Sequence, residues 1–148
     1  MRIALGADHG GFDLKAKIVK YLKSKGHEVK DFGCFSAESC DYPKFGSAVA
    51  DAVSRKKFPR GVLICKSGIG MSIVANKSRG VRAALVSDID GARSSREHND
   101  ANVLILGSQF VSDEMARRIA LEWLKTPFEG GRHEPRVRKI SDFENRKS

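Results

Sequence analysis

Two rhythms of apolar residues alternate along this chain. Ile3 to Ala7, Arg60 to Cys65, Val81 to Val86 and Val103 to Leu106 are short aliphatic runs, which predict strands buried on both faces. Between them apolar residues recur at helical spacing: Phe12, Leu14, Ile18, Val19 and Leu22, then Ala48, Val49, Ala52 and Val53, and later Met115, Ile119, Leu121 and Trp123. Val29 to Phe32 alternates instead, which predicts a strand nearer an edge. The punctuation agrees. Gly26 closes the first helix, Pro43 opens the second, and a helix through Ala92 and Arg96 ends near His98. Five strands separated by helices require parallel pairing, right-handed crossovers and helices on both faces of the sheet.

The stretch Val62 to Asn76 concentrates the chemical signals. A buried strand stops at Cys65, Gly68 and Gly70 follow within five residues, and a helix holding Asn76 begins. A helix start offers unpaired N–H groups to an anion and favours a nearby thiolate, the reactive form of cysteine. Taken alone, Cys65 also reads as a small core hydrophobe. The Gly-x-Gly, with Asp88 about twenty residues on, half-fits a dinucleotide fingerprint, but Ile73 stands where the third glycine belongs.

In parallel sheets ligands bind beyond the carboxyl ends of the strands, and Asp8-His9, Cys65 with its loop, and Asp88 all fall there. His98-Asn99 lies in a helix-to-strand connection on the opposite edge, where it reads equally as a helix cap. To join Cys65 in one site, His98 has to come from another subunit. Arg132 and Arg136 are four residues apart, so in a helical segment they share a face and can clamp a phosphate; in a coil they are a solvated basic tail.

Composition narrows the partners. The 148 residues, expected to form a single domain, carry a net charge of +9, but the basic residues are spread through the chain, with most lysines of the first helix on its polar face. Attraction of small anionic substrates accounts for that charge as well as a polyanion groove does; no nucleic acid partner is expected. Cys34, Cys40 and Cys65 form neither a disulfide framework nor a zinc pattern. No apolar run approaches the roughly 20 residues of a membrane helix. With no leader pattern at Met1, a reduced, cytoplasmic location and no membrane partner are expected. A thiol, imidazoles, arginines and a glycine loop, without a metal set or cofactor motif, suit proton transfer on a small phosphorylated molecule.

Taken together, Ala7-Asp8-His9-Gly10-Gly11-Phe12, Asp41-Tyr42-Pro43, Leu63-Ile64-Cys65, Ser67-Gly68-Ile69-Gly70-Met71-Ser72, Ala75-Asn76-Lys77, Gly80-Val81-Arg82-Ala83, His98-Asn99-Asp100-Ala101-Asn102 and Gly130-Gly131-Arg132-His133 resemble the ribose-5-phosphate isomerase type B family. That wider family includes isomerases of galactose 6-phosphate and allose 6-phosphate. The resemblance implies a Rossmann-like three-layer α/β/α sandwich, with a five-stranded parallel sheet and a C-terminal helical tail from about residue 126 that packs on or near a partner. It implies a homodimer with shared active sites, a tetramer being the alternative, and neither metal nor organic cofactor. By position, Cys65 matches the base that moves a proton between C1 and C2 through an enediolate. Ser67, Gly68 and Gly70 match the loop that stabilises the enediolate oxygens. Asp8 and His98 match groups that open the furanose ring, Tyr42 and Asn99 match sugar contacts, and His9, Arg132 and Arg136 match phosphate ligands.

Two positions depart from the family pattern. Lys66 replaces a small residue, commonly Gly, and Gln109 stands where several members carry a phosphate-reaching arginine. The expected reaction is interconversion of ribose 5-phosphate and ribulose 5-phosphate. The alternatives are a six-carbon sugar phosphate or an unphosphorylated sugar as substrate and, more distantly, dinucleotide or nucleic-acid binding.

Overall fold

The computed structural model describes residues 1–146. Its five strands are β1 (Arg2–Ala7), β2 (Glu28–Asp31), β3 (Arg60–Cys65), β4 (Ala83–Leu85) and β5 (Val103–Gly107). They form one parallel sheet in the order β2-β1-β3-β5-β4. Six α-helices complete it: α1 (Phe12–Ser24), α2 (Tyr42–Ser54), α3 (Ile69–Ala75), α4 (Ile89–Glu97), α5 (Asp113–Lys125) and α6 (Glu134–Asn145). Two short 3-10 turns, His9–Gly11 and Gly131–His133, precede α1 and α6.

Because successive side chains on a strand point to opposite faces, each central strand feeds two cores. Ile3, Leu5, Val62, Ile64, Leu104 and Leu106 pack on one face against α1, α4 and α5, with Trp123 fully buried among them. Ala4, Leu63, Cys65, Val103 and Ile105 pack on the other face against α2 and α3. The three expected layers are therefore present, and β2 is an edge strand as its alternation implied. β4 is shorter than the expected Val81 to Val86, because the Arg82 N–H is taken by the Asn102 side chain and Val86 bonds only singly to Ile105. One lysine of α1 is not on the polar face. Lys15 is buried, its ammonium bonded to Asp31 at 2.7 Å and to the Cys34 carbonyl at 2.5 Å. Among the described residues no helix is long and apolar enough to cross a membrane.

The chain leaves β1 for β2 on one side and returns to β3 on the other, so the sheet order reverses between β1 and β3. That reversal opens a crevice at the carboxyl ends of these two strands.

Candidate active site

The carboxyl ends of β1, β3 and β5 meet through backbone contacts. The Asp8 N–H donates to the Ile64 carbonyl at 3.2 Å, which sets Asp8 beside the end of the Cys65 strand. The buried Asp8 carboxylate accepts the Gly11 N–H at 3.1 Å and so caps its own 3-10 turn. A side chain at Gly11 would meet the Ile64 carbonyl oxygen at 2.5 Å, and one at Gly107 would meet the Ser67 carbonyl oxygen at the same distance. Bare backbone at both positions is what lets the three strand ends close up. Ser108 finishes the junction: its N–H donates to the Cys65 carbonyl at 2.9 Å and its hydroxyl to the Gly10 carbonyl at 2.8 Å.

Cys65 sits at this junction, 5% exposed, and its Sγ accepts the Gly68 N–H at 3.1 Å. Gly68 has φ +78, a left-handed conformation that brings its N–H round to the sulfur. The Ser67 hydroxyl accepts the Ile69 N–H at 3.2 Å. Tyr42, at the start of α2, lays its ring on Gly70, where any Cβ would lie 2.7 Å from the ring. His9 is exposed, and its Nδ1 accepts the Cys40 N–H at 3.2 Å. A neutral ring held this way carries its proton on Nε2, as a donor facing outward. Asp8, His9, Tyr42, Cys65, Ser67, Gly68 and Gly70 thus share one crevice. Lys66 and Gln109 flank it, both exposed, with the Gln109 N–H donated to the Lys66 carbonyl at 3.0 Å.

His98, Asn99, Arg132 and Arg136 are not in that crevice. Cys65 pairs with Gly107 at one end of β5, whereas Gly61 pairs with Val103 at the other. Four residue steps of about 3.3 Å separate those ends by roughly 13 Å. α4 carries the chain back along that length, leaving His98 at the amino edge of the sheet. There the His98 and His133 rings stack, centroids 4.4 Å apart and 20° from parallel. Glu129 Oε2 lies 3.9 Å from His98 Nε2 and 3.5 Å from His133 Nε2. Burial pushes the His133 pKa below its ordinary 6.5, and the neighbouring His98, Arg132 and Arg136 push the same way against the carboxylate of Glu129. The 3-10 turn runs directly into α6, so Arg132 and Arg136 do fall in one helical segment, both exposed. Among the described residues neither forms an ion pair.

What shapes this second group is a buried cation that sequence reasoning placed on the helix ending near His98 without a role. Arg96, 2% exposed, donates to Asp100 Oδ1 at 2.8 Å, to the Ala101 carbonyl at 2.6 Å and to the Thr126 carbonyl at 3.2 Å. Arg82 reaches Asp100 from the other side at 2.9 Å and holds the Asn99 carbonyl at 3.0 Å. Glu129 was also missed; it lies in the coil between α5 and the 3-10 turn, where no periodicity marks it. A large cleft lies beside this group, away from Cys65. It measures about 740 Å³ between α6 and the β4 edge, and Arg82, Ala83, Asn99, Ile140 and Phe143 are among its lining residues.

Residues 3–140 match the family model described as Ribose/Galactose Isomerase. The chain is 47% identical over 147 residues to ribose-5-phosphate isomerase B of Escherichia coli, covering 99% of each chain. A solved ribose-5-phosphate isomerase B from Clostridium thermocellum superposes with a TM-score of 0.98 at 50% identity, covering both chains fully. The Mycoplasma genitalium ribose-5-phosphate isomerase B, solved with bound ribulose-5-phosphate, gives a TM-score of 0.94 at 42% identity over 97% of this chain and 96% of that one.

Proposed function

This chain belongs to the ribose/galactose isomerase family, and on that premise we propose that it interconverts ribose 5-phosphate and ribulose 5-phosphate. The observation that carries this reading is the crevice itself: a buried thiol and a carboxyl at adjacent strand ends beside a glycine loop, in a fold matching solved isomerases throughout. Cys65 takes the C2 proton of the open-chain aldose and returns it at C1. The intervening enediolate carries its charge on oxygen, where the Ser67 hydroxyl and the N–H groups of the Gly68 to Gly70 loop stabilise it. Asp8 and His98 open the furanose ring by passing one proton to the ring oxygen and taking one from the anomeric hydroxyl. Tyr42 and Asn99 hold the sugar hydroxyls, and His9, Arg132 and Arg136 hold the phosphate.

For these groups to act together the site must be shared between two chains, because within one chain they stand at opposite edges of the sheet. A homodimer supplies the missing half, each protomer giving its carboxyl edge to one site and its amino edge to the other. Exposed apolar side chains support that pairing: Ile69 and Ile73 on α3, Leu85 on β4, and Ile140 and Phe143 on α6, a helix with no buried residue. The full chain acts as a single isomerase domain, in the cytoplasm, without a cofactor.

The test is isomerisation by the purified protein of a panel of pentose and hexose phosphates in deuterated solvent. Turnover of ribose 5-phosphate with deuterium entering at C2 of the recovered aldose is expected. Turnover of a hexose 6-phosphate alone would instead establish the second reading, favoured by the breadth of the family.

A further inference from the structure

The spacing of His98, Glu129 and His133 is not that of hydrogen bonds. The carboxylate oxygen stands 3.5 Å from one imidazole nitrogen and 3.9 Å from the other, beyond the usual limit of about 3.2 Å. His133 Nε2 is buried with no hydrogen-bond partner, on a side chain only 6% exposed. Leaving a buried ring nitrogen unpaired is unfavourable unless something else binds it. One ligand atom from each of the three residues lies within 4.8 Å of the other two. Ligands bonded to a single zinc ion at about 2.0–2.2 Å in tetrahedral geometry stand roughly 3.4 Å apart. The separations allow one ion to be shared once the His98 ring turns out of its stack on His133, so that the in-plane lone pairs of both imidazoles converge.

We propose that His98, Glu129 and His133 bind one divalent transition-metal ion per chain, of the zinc or cobalt type, with a fourth position open to water or an anion. Two imidazoles and one carboxylate suit such borderline ions and select against calcium and magnesium, which prefer all-oxygen shells. The scaffold behind the cluster is already cross-linked. The Glu129 N–H donates to the Glu97 carbonyl at 3.1 Å, and Arg96 ties the Asp100–Ala101 loop to Thr126. The segments carrying the three ligands are thus held together before any ion arrives, and the His98 side chain, 42% exposed, has room to turn. Arg132 and Arg136 oppose a cation here and favour an anion on its open position. If the isomerase reading holds, an ion on His98 removes the lone pair used in ring opening, so bound metal inhibits.

Cobalt binding tests the site directly. Full-length protein stripped with a chelator and titrated with Co²⁺ should take up one ion per chain, displaceable by Zn²⁺ and unaffected by Ca²⁺. The visible spectrum should lack a thiolate-to-cobalt charge-transfer band, since no cysteine belongs to the set. Glu129→Gln and His133→Gln should each weaken binding by at least about tenfold. Should His133→Gln not fold, Glu129→Gln at its exposed position carries the comparison alone. No saturable binding, unchanged affinity in Glu129→Gln, or a thiolate band from Cys34, Cys40 or Cys65 would overturn the proposal. Chelator-reversible zinc inhibition is expected wherever the protein is an isomerase; the cobalt spectrum reads the site whether or not it is.

Discussion

The two edges of this sheet are built by opposite means. At the carboxyl edge the reactive groups are positioned by backbone: Asp8 by an amide to Ile64, Cys65 by the Gly68 N–H, and the junction by glycines that admit another chain segment at contact distance. At the amino edge they are positioned by side chains from distant segments, with Arg96 and Arg82 holding the Asn99–Ala101 loop that follows His98, and Glu129 set beside the stacked imidazoles. Backbone cannot drift when one residue changes, whereas a side-chain network fails when one member is lost. The centre proposed to carry proton transfer sits on the first kind of support. The groups assigned to opening the ring and holding the phosphate include members on the second.

The sharpest break in that comparison is chemical. Cys65→Ala removes the proposed base and leaves the backbone junction intact, so kcat should fall by about 10³-fold or more, equivalent to about 4 kcal/mol, with KM little changed. Solvent deuterium exchange at C2, followed by NMR, reads the step directly. Exchange at the wild-type rate would remove Cys65 from the mechanism.

Next comes the division of labour between chains. Cys65→Ala and His98→Asn protein should each be nearly inactive alone. When subunits exchange freely, half the dimers are mixed and one of their two sites keeps both groups, so recovery should approach about a quarter of wild-type activity. Proven heterodimers with no recovery would confine each site to one protomer.

That same contrast explains what could be read in advance. The strand order of apolar runs, the edge character of β2, Cys65 with its loop, and the displacement of His98 to the far edge all follow from residues close in the chain or from strand direction. The buried Lys15 pair with Asp31, the Arg96 network and the carboxylate of Glu129 beside the stacked His98 and His133 do not. They join residues from different segments, and a lysine or arginine on an amphipathic helix looks solvated until the facing carboxylate is known. β4 misled for a related reason: the Asn102 side chain takes an amide that a ladder would have used.

Arg96 tests the side-chain support. Arg96→Ala leaves Asp100, a third exposed, with Arg82 alone and strips donors from the Ala101 and Thr126 carbonyls. Breaking such a buried pair should lower stability by about 3 kcal/mol, measured by urea unfolding. Alkylation of Cys65 by iodoacetamide under native conditions should keep its wild-type rate, because the carboxyl edge does not lean on Arg96. A loss of stability below about 0.5 kcal/mol, the scale of an ordinary surface change, would show that the amino edge is held by something else.

The smallest expected effect, and the finest distinction, lies at Gln109. It sits on the carboxyl edge, its backbone fixed by the hydrogen bond to Lys66, with the side chain exposed beside the crevice where His9 is the proposed phosphate donor. The two arginines assigned to phosphate are on the other edge, so in the proposed dimer each site would draw that charge from the partner. A charge-assisted hydrogen bond contributes roughly 1.5–3 kcal/mol against about 1 for a neutral one. Gln109→Arg should therefore lower KM for ribose 5-phosphate several-fold and leave that for unphosphorylated ribose unchanged. It should also soften the penalty of Arg132→Ala, since a cation within the same chain replaces part of what the partner supplies. Steady-state KM values for both sugars in the single and double variants decide the matter. Equal changes for the phosphorylated and free sugars would mean that Gln109 faces solvent, with the phosphate held by His9 and the partner's edge alone.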